Sequence, residues 1–237
     1  MKKLIITAIA VSAVVSSALS QGTVGFATGA TASNRISTNS VAGGPATGAN
    51  AAVANSFYFA LFASTSQTAI NGVSTAVSGV NANYVFNNMG GGTVTNGWIL
   101  VGIGVNTASV GRFAPQTQGT SSSSQGALNG DGSLNVVGTS PGGTANFVSV
   151  GWSANVGSTL AAMMAAYSGG NAMWIGQSAV GVGLPLGDGG SLAANSSMGV
   201  GTGQVGGYTL GITTPEPGTL ALAALGGASL LMFRRKK

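Results

Sequence analysis

The sequence predicts an all-β protein: a single β-sandwich, jelly-roll-like or immunoglobulin-like, carrying one short helix. Short runs rich in aromatic and β-branched residues recur between clusters of Gly, Ser, Thr and Asn, which is the pattern of strands separated by turns. Asn-Gly at 71–72, 96–97 and 129–130 and Asp-Gly at 131–132 and 188–189 supply the residues that tight hairpins need at positive φ. Only 5% of the residues are charged, so the polar composition is not that of a self-repelling disordered chain.

Taken in order, residues 1–20 read as a secretory signal helix. Lys2 and Lys3 precede an apolar stretch from Leu4 to Val15, and Ala18 and Ser20 stand as the small residues at positions −3 and −1 of a cleavage site. Signal peptidase, after transfer through the Sec translocon, is expected to cut between Ser20 and Gln21, with cleavage after Ala18 as the alternative that also fits the small-residue rule. Residues 21–55 form the mature N-terminus and a flexible lead-in, since residues 27–52 hold few large apolar side chains. The sandwich is expected over residues 56–213 and the tail over 214–237.

The first strong strand is residues 56–63 (SFYFALFA). Alternation places Phe57, Phe59 and Leu61 on one face and Tyr58, Ala60 and Phe62 on the other, so both faces are apolar and the strand is central. Further strands are expected at 84–86, 98–105 (WILVGIGV), 134–137, 147–152 (FVSVGW), 172–176 (AMWIG) and 208–212 (YTLGI). Residues 158–167 (STLAAMMAAY) break the pattern. Ala and Met favour helix, Ser158 suits the N-cap, and Leu160, Met163, Met164 and Tyr167 share one face. Val-Gly-x-Gly recurs at 101, 180 and 200 without a fixed period, so no repeat architecture is supported.

The charge distribution removes several functions. The net charge of +5 comes from the ends of the chain; between residues 21 and 213 the only charged side chains are Arg35, Arg112, Asp131 and Asp188, which sum to zero. No basic cluster exists to neutralise phosphates, so nucleic acid is not an expected partner. With no Cys anywhere there are no disulfides and no thiolate metal sites. The interior contains no His, Lys or Cys to activate a serine, and a pair of carboxylates for hydrolysis would have to be Asp131 and Asp188. The expectation is therefore no enzyme and no cofactor.

Two motif matches fail on their surroundings. Asn129-Gly130-Asp131-Gly132 resembles the middle of a calcium loop, yet Ala127 stands at the first ligand position and no Glu closes the loop, so it reads as a hairpin turn. Residues 201–206 (GTGQVG) match the dinucleotide fingerprint without a following helix to meet the pyrophosphate. Trp98, Trp152, Trp174, Tyr58, Tyr84, Tyr167 and Tyr208 would form a sugar-stacking platform only if several faced outward together; each sits in an apolar context that favours the core.

The C-terminal segment is the specific signal. Pro215, Glu216 and Pro217 precede an uncharged apolar run over residues 219–233 and a basic end, Arg234, Arg235, Lys236 and Lys237. As a helix the run reaches about 22 Å at about 1.5 Å per residue, a marginal transmembrane span. Lys2 and Lys3 at one end and the four basic residues at the other would both stay cytoplasmic, which places the chain between them outside. This tripartite tail resembles the PEP-CTERM sorting signal. The resemblance implies processing near Pro215–Pro217 by an exosortase, a membrane-embedded Cys-dependent transpeptidase-like enzyme of Gram-negative bacteria that make extracellular polysaccharide. Gly218 stands where that signal more commonly has Ser. Residues 21–24 (QGTV) and 151–153 (GWS) are also similar to a family of such proteins that has no assigned activity.

The expected protein is thus exported across the inner membrane, anchored there transiently, and finally placed at the cell surface or in the extracellular matrix, with exopolysaccharide as a candidate partner. A secreted carbohydrate-binding module and a hydrolase are the competing readings. Coplanar exposed aromatics would favour the first of these, and convergence of Asp131 and Asp188 in a cleft would favour the second.

Overall fold

A computed structural model describes residues 21–28, 36–38, 48–49, 53–90, 93–94, 97–109, 111–119, 125–189 and 192–213. Its main elements in chain order are β1 (Gly22–Gly25), β2 (Phe57–Ser64), β3 (Ile99–Asn106), β4 (Phe113–Gly119), β5 (Leu134–Val136), β6 (Thr144–Ser153), α1 (Leu160–Ser168), β7 (Met173–Gln177), β8 (Gly181–Pro185) and β9 (Thr209–Thr213). The described residues are mostly β-strand with one short α-helix, as the sequence predicts for that part of the chain.

Strand β2 lies between β3 and β6, and both pairings are antiparallel. The sheet continues through β4 on one side and through β7 and β9 on the other, while β8 also pairs with β6. The two apolar faces of β2 explain its central place. Phe57, Phe59 and Leu61 enter one core together with Phe113, Phe147 and Leu184. Ala60 and Phe62 enter a second core with Trp98, Val148, Val150 and Trp152. At about 25 cal/mol per Å² of apolar surface, a strand buried on both faces stabilises far more than one with a single buried face.

The two cores are closed by different layers. A smaller sheet covers the first: β1 pairs antiparallel with β5 and parallel with Asn195–Ser196, bringing Val24, Phe26, Leu134 and Val136 onto the large sheet. Helix α1 and the segment around Tyr84–Phe86 cover the second through Leu160, Met163 and Ala166. The large sheet is therefore buried between a small sheet and a helical layer. The strands do not divide into two comparable sheets.

Several expectations are corrected. Residues 84–86 are not a strand; Val85–Asn88 is a 3-10 turn. The Val85 amide donates to Gln177 Oε1 at 2.7 Å rather than to a neighbouring strand, and the Tyr84 and Phe86 rings stack at 5.0 Å. The helix cap is Thr159, one residue later than Ser158, with its hydroxyl accepting from the Ala162 amide at 3.2 Å. Strands β1, β4 and β8 were not anticipated, because GTVG, FAPQTQG and GVGLP carry little apolar periodicity. Strand β4 even contains Pro115, tolerated where the β3–β4 register shifts between Ile103 and Gly104. The fold also begins within the expected lead-in: Val24, Phe26 and Ile36 are all buried.

Gly72, Gly97, Gly132 and Gly189 have the expected positive φ, whereas Asn129-Gly130 does not supply it. Asn71 and Gly72 both have positive φ, at 50° and 77°, and close a tight hairpin in which Ile70 and Val73 exchange backbone hydrogen bonds. Gly151 serves a different need. A Cβ there would stand 2.7 Å from the Phe59 ring, so the absence of a side chain lets that ring lie across β6.

Among the described residues, buried amides anchor loops. Asn106 Oδ1 accepts from the amides of Ser56 and Phe57, at 2.7 and 2.9 Å. Asn146 joins Gly183 to Gln67, and Gln177 joins the Val85 amide to the Asn83 carbonyl. Gln177→Leu keeps the volume but leaves the buried Val85 amide and the half-buried Asn83 carbonyl without that bond. It should lower unfolding free energy by about 1–3 kcal/mol and raise hydrogen exchange at Val85 before it affects β2, measured by urea unfolding and amide exchange.

Candidate functional site

Strand β1 positions a polar pocket on the described surface. Thr23 exchanges backbone hydrogen bonds with Gly187, at 2.9 and 2.8 Å, and stands opposite Asn135 on β5. That arrangement brings two turns distant in sequence to the same strand. The resulting pocket of about 370 Å³ has Gln21 and Thr23 on one wall and Asn135 beside them. Asp131 and Ser133 come from the turn before β5, and Asp188 and Gly189 from the turn after β8.

Each aspartate is first of all a turn residue. Asp131 Oδ1 accepts from the Ser133 amide at 2.9 Å and from its hydroxyl at 2.7 Å. Asn129 Nδ2 reaches Ser133 Oγ and Asn135 Oδ1, so the 129–133 turn is tied by its own side chains. Asp188 Oδ1 accepts from the Leu192 amide at 2.8 Å. The Ser133 hydroxyl, and after it the Ser133 amide, hold the Asp131 carboxyl below its ordinary range. Thr23 is 3% exposed, and its hydroxyl has no hydrogen-bond partner. No group of three or more potential metal ligands occurs among the described residues.

The pocket thus unites Asp131 and Asp188, the condition that the hydrolase reading set. Hydrogen bonds from Ser133 favour the ionised form of Asp131, so within such a pair it fits the carboxylate and not the general acid, which needs a pKa raised toward the working pH. No sequence signal marks this pocket. The two aspartates lie 57 positions apart in sequence, and the pairing of β1 with both arms joins them.

The aromatic side chains lie in the cores or against them. Trp98, Trp152, Tyr84 and Tyr208 are buried, and Tyr58, Tyr167 and Trp174 are half-buried, so none of the seven is exposed. Tyr58 stacks on Trp152 at 6.1 Å, and Tyr84 meets Tyr167 edge-on at 5.5 Å. Residues 201–206 form a turn in which Gln204 Oε1 accepts from the Gly201 amide, and the described chain continues into strand β9 rather than a helix.

Strand β9 carries the fold to its C-terminal signal. The Thr213 hydroxyl accepts from the Met173 amide at 2.9 Å and reaches the Asn171 carbonyl at 3.0 Å, while its side chain is buried. Directly at that residue a match to known families begins, over residues 213–236. The chain carries a PEP-CTERM protein-sorting motif. The PEP-CTERM match contains Pro215, Glu216 and Pro217 and the basic residues Arg234, Arg235 and Lys236. It makes the protein an exported one with a C-terminal membrane-anchoring sorting signal and an exosortase as processing partner. No curated protein and no solved structure matches the chain.

Ser20, the three motif residues and the four basic residues through Lys237 lie outside the described residues, as do the expected signal helix and tail helix; Gln21 lies within them. Among the described residues no helix is long and apolar enough to cross a membrane.

Proposed function

We propose that this is a non-catalytic protein of the cell surface or extracellular matrix, secreted through cleavage after Ser20 and released or transferred by an exosortase at the PEP-CTERM motif. The observation that carries the reading is the junction at Thr213: a buried strand residue is also the first residue of the sorting motif. Cleavage beyond that residue would leave every described strand in the released part. The tail holds the chain by different physics. Its apolar run is retained by burial, and the basic end by the cost of moving positive charge across the bilayer. The two prolines disfavour helix through Glu216 and present its carboxylate on extended backbone.

A non-catalytic role is supported by the lack of His, Lys and Cys between residues 21 and 213. The carbohydrate-platform reading loses its support with the burial of the aromatic residues. Exopolysaccharide remains the proposed environment of the mature protein, on the strength of the sorting signal.

The test is the mass and location of the full chain in a host with and without its exosortase. The parent should be shortened at the C-terminus and leave the inner membrane only when the enzyme is present. Glu216→Ala should insert normally and remain unprocessed, whereas neutral residues at Arg234, Arg235, Lys236 and Lys237 should impair retention or orientation. Equal processing of parent and Glu216→Ala, or processing without the enzyme, refutes the assignment.

A further inference from the structure

The pocket beside β1 lies where a new charge is created on maturation. Gln21 lines it, and cleavage after Ser20 would turn the Gln21 nitrogen from an amide into an α-ammonium. The adjoining chain is held tightly. Gly22 is buried, its amide donates to Thr139 Oγ1 at 3.1 Å, and a Cβ at that position would stand 2.5 Å from Leu186. Continuing the antiparallel register of Thr23 with Gly187 sets Gln21 opposite Gly189, next to Asp188. Both aspartates that lie between residues 21 and 213 line this one pocket, and the other described residues of its lining are uncharged. Thr23, another lining residue, has a buried hydroxyl without a hydrogen-bond partner.

We propose that the pocket is the seat of the protein's own mature N-terminus, with Asp188 and Asp131 as counter-charges to the Gln21 α-ammonium. The proposal rests on the export reading, specifically on cleavage after Ser20. An ammonium in that position places a positive charge beside the two carboxylates and ties the start of β1 to both turns that flank it. It also opposes a reaction to which N-terminal glutamine is prone. In cyclisation the lone pair of the neutral α-amine attacks the side-chain amide carbon; the new N–Cδ bond forms as Cδ–Nε2 breaks, and ammonia leaves with a proton from the amine. Carboxylates favour the protonated amine, which has no lone pair to donate.

The experiment uses the full chain exported with its own leader and purified in detergent, in parent form and as Asp131→Asn, Asp188→Asn and the double variant. Intact mass identifies the first residue and follows ammonia loss, and pH-dependent labelling gives the pKa of the α-amine. The parent should begin at Gln21 and cyclise about tenfold more slowly near neutral pH than a peptide of residues 21–28, its amine titrating about one unit higher. The double variant should lose most of that protection while keeping its melting transition, and the difference should vanish once pH exceeds the pKa of the parent amine. Loss of protection through a loosened strand would persist at high pH. If the chain begins at Gln21 but parent and peptide cyclise alike, the pocket proposal fails and the cleavage reading stands. A chain beginning at Met1 or at another residue overturns both.

Discussion

Trp152→Ala is expected to remove about 3–5 kcal/mol of stability, a large share of the roughly 5–15 kcal/mol typical of a folded domain. Trp152 is fully buried in the second core and packs against Tyr58, which belongs to the adjacent β2. Its Nε1 donates to the Gly157 carbonyl at 2.8 Å, which fixes the turn leading into α1. Truncation therefore opens a cavity between sheet and helix and also strands a carbonyl. Neighbours that belong to a sheet paired on both sides cannot collapse into the space, so the cost should fall at the upper end of the range. Urea unfolding of parent and variant checks it, with Val182→Ala, at a side chain 46% exposed, expected within about 0.5 kcal/mol of the parent.

The second large effect is alkaline unfolding. Tyr84 and Tyr208 are buried, and loss of water raises the pKa of both phenols above the ordinary value of 10.0. Tyr84 donates to the Gly79 carbonyl at 2.8 Å, and Tyr208 pairs with Ser149 Oγ at 2.9 Å. A pKa raised in the folded state means that the stabilising contribution is fully present below the unfolded value near 10 and is lost as pH climbs toward the folded value. If both phenols stay neutral in the fold, ionisation of the unfolded chain at about pH 12 should remove roughly 5 kcal/mol. Tyrosinate absorbance should then appear together with loss of the β-sheet circular dichroism signal. Tyr208→Phe should cost about 1 kcal/mol at neutral pH, through its lost hydrogen bond, yet unfold at higher pH than the parent. If tyrosinate absorbance develops fully while the fold persists, the two phenols are not ionised by unfolding and the linkage is wrong.

Legibility in the sequence tracked how much of the information was local. The alternation in residues 56–63 placed β2 at the centre with both faces buried, and the side chains divide between the two cores as that alternation requires. The helix was legible from Ala and Met, but its cap was displaced by one residue because Ser158 and Thr159 are equivalent in composition and only geometry distinguishes them. Residues 84–86 misled because an aromatic-rich triplet looks alike as strand or turn when its amide partner is the distant Gln177.

The C-terminal signal was readable from sequence alone, since proline, an apolar run and a basic end act through local conformation, hydrophobicity and charge, none of which needs a tertiary partner. Composition likewise determined the near-neutral interior and the absence of thiol chemistry. Only the tertiary structure decided that a small sheet and a helical layer cover one large sheet, that the four-residue strand β1 belongs to the core, and that Asp131 and Asp188 share a pocket with Gln21. The physical reason is the same in each case: a short, Gly-rich strand has little periodicity of its own, and its place is set by backbone hydrogen bonds to partners far along the chain.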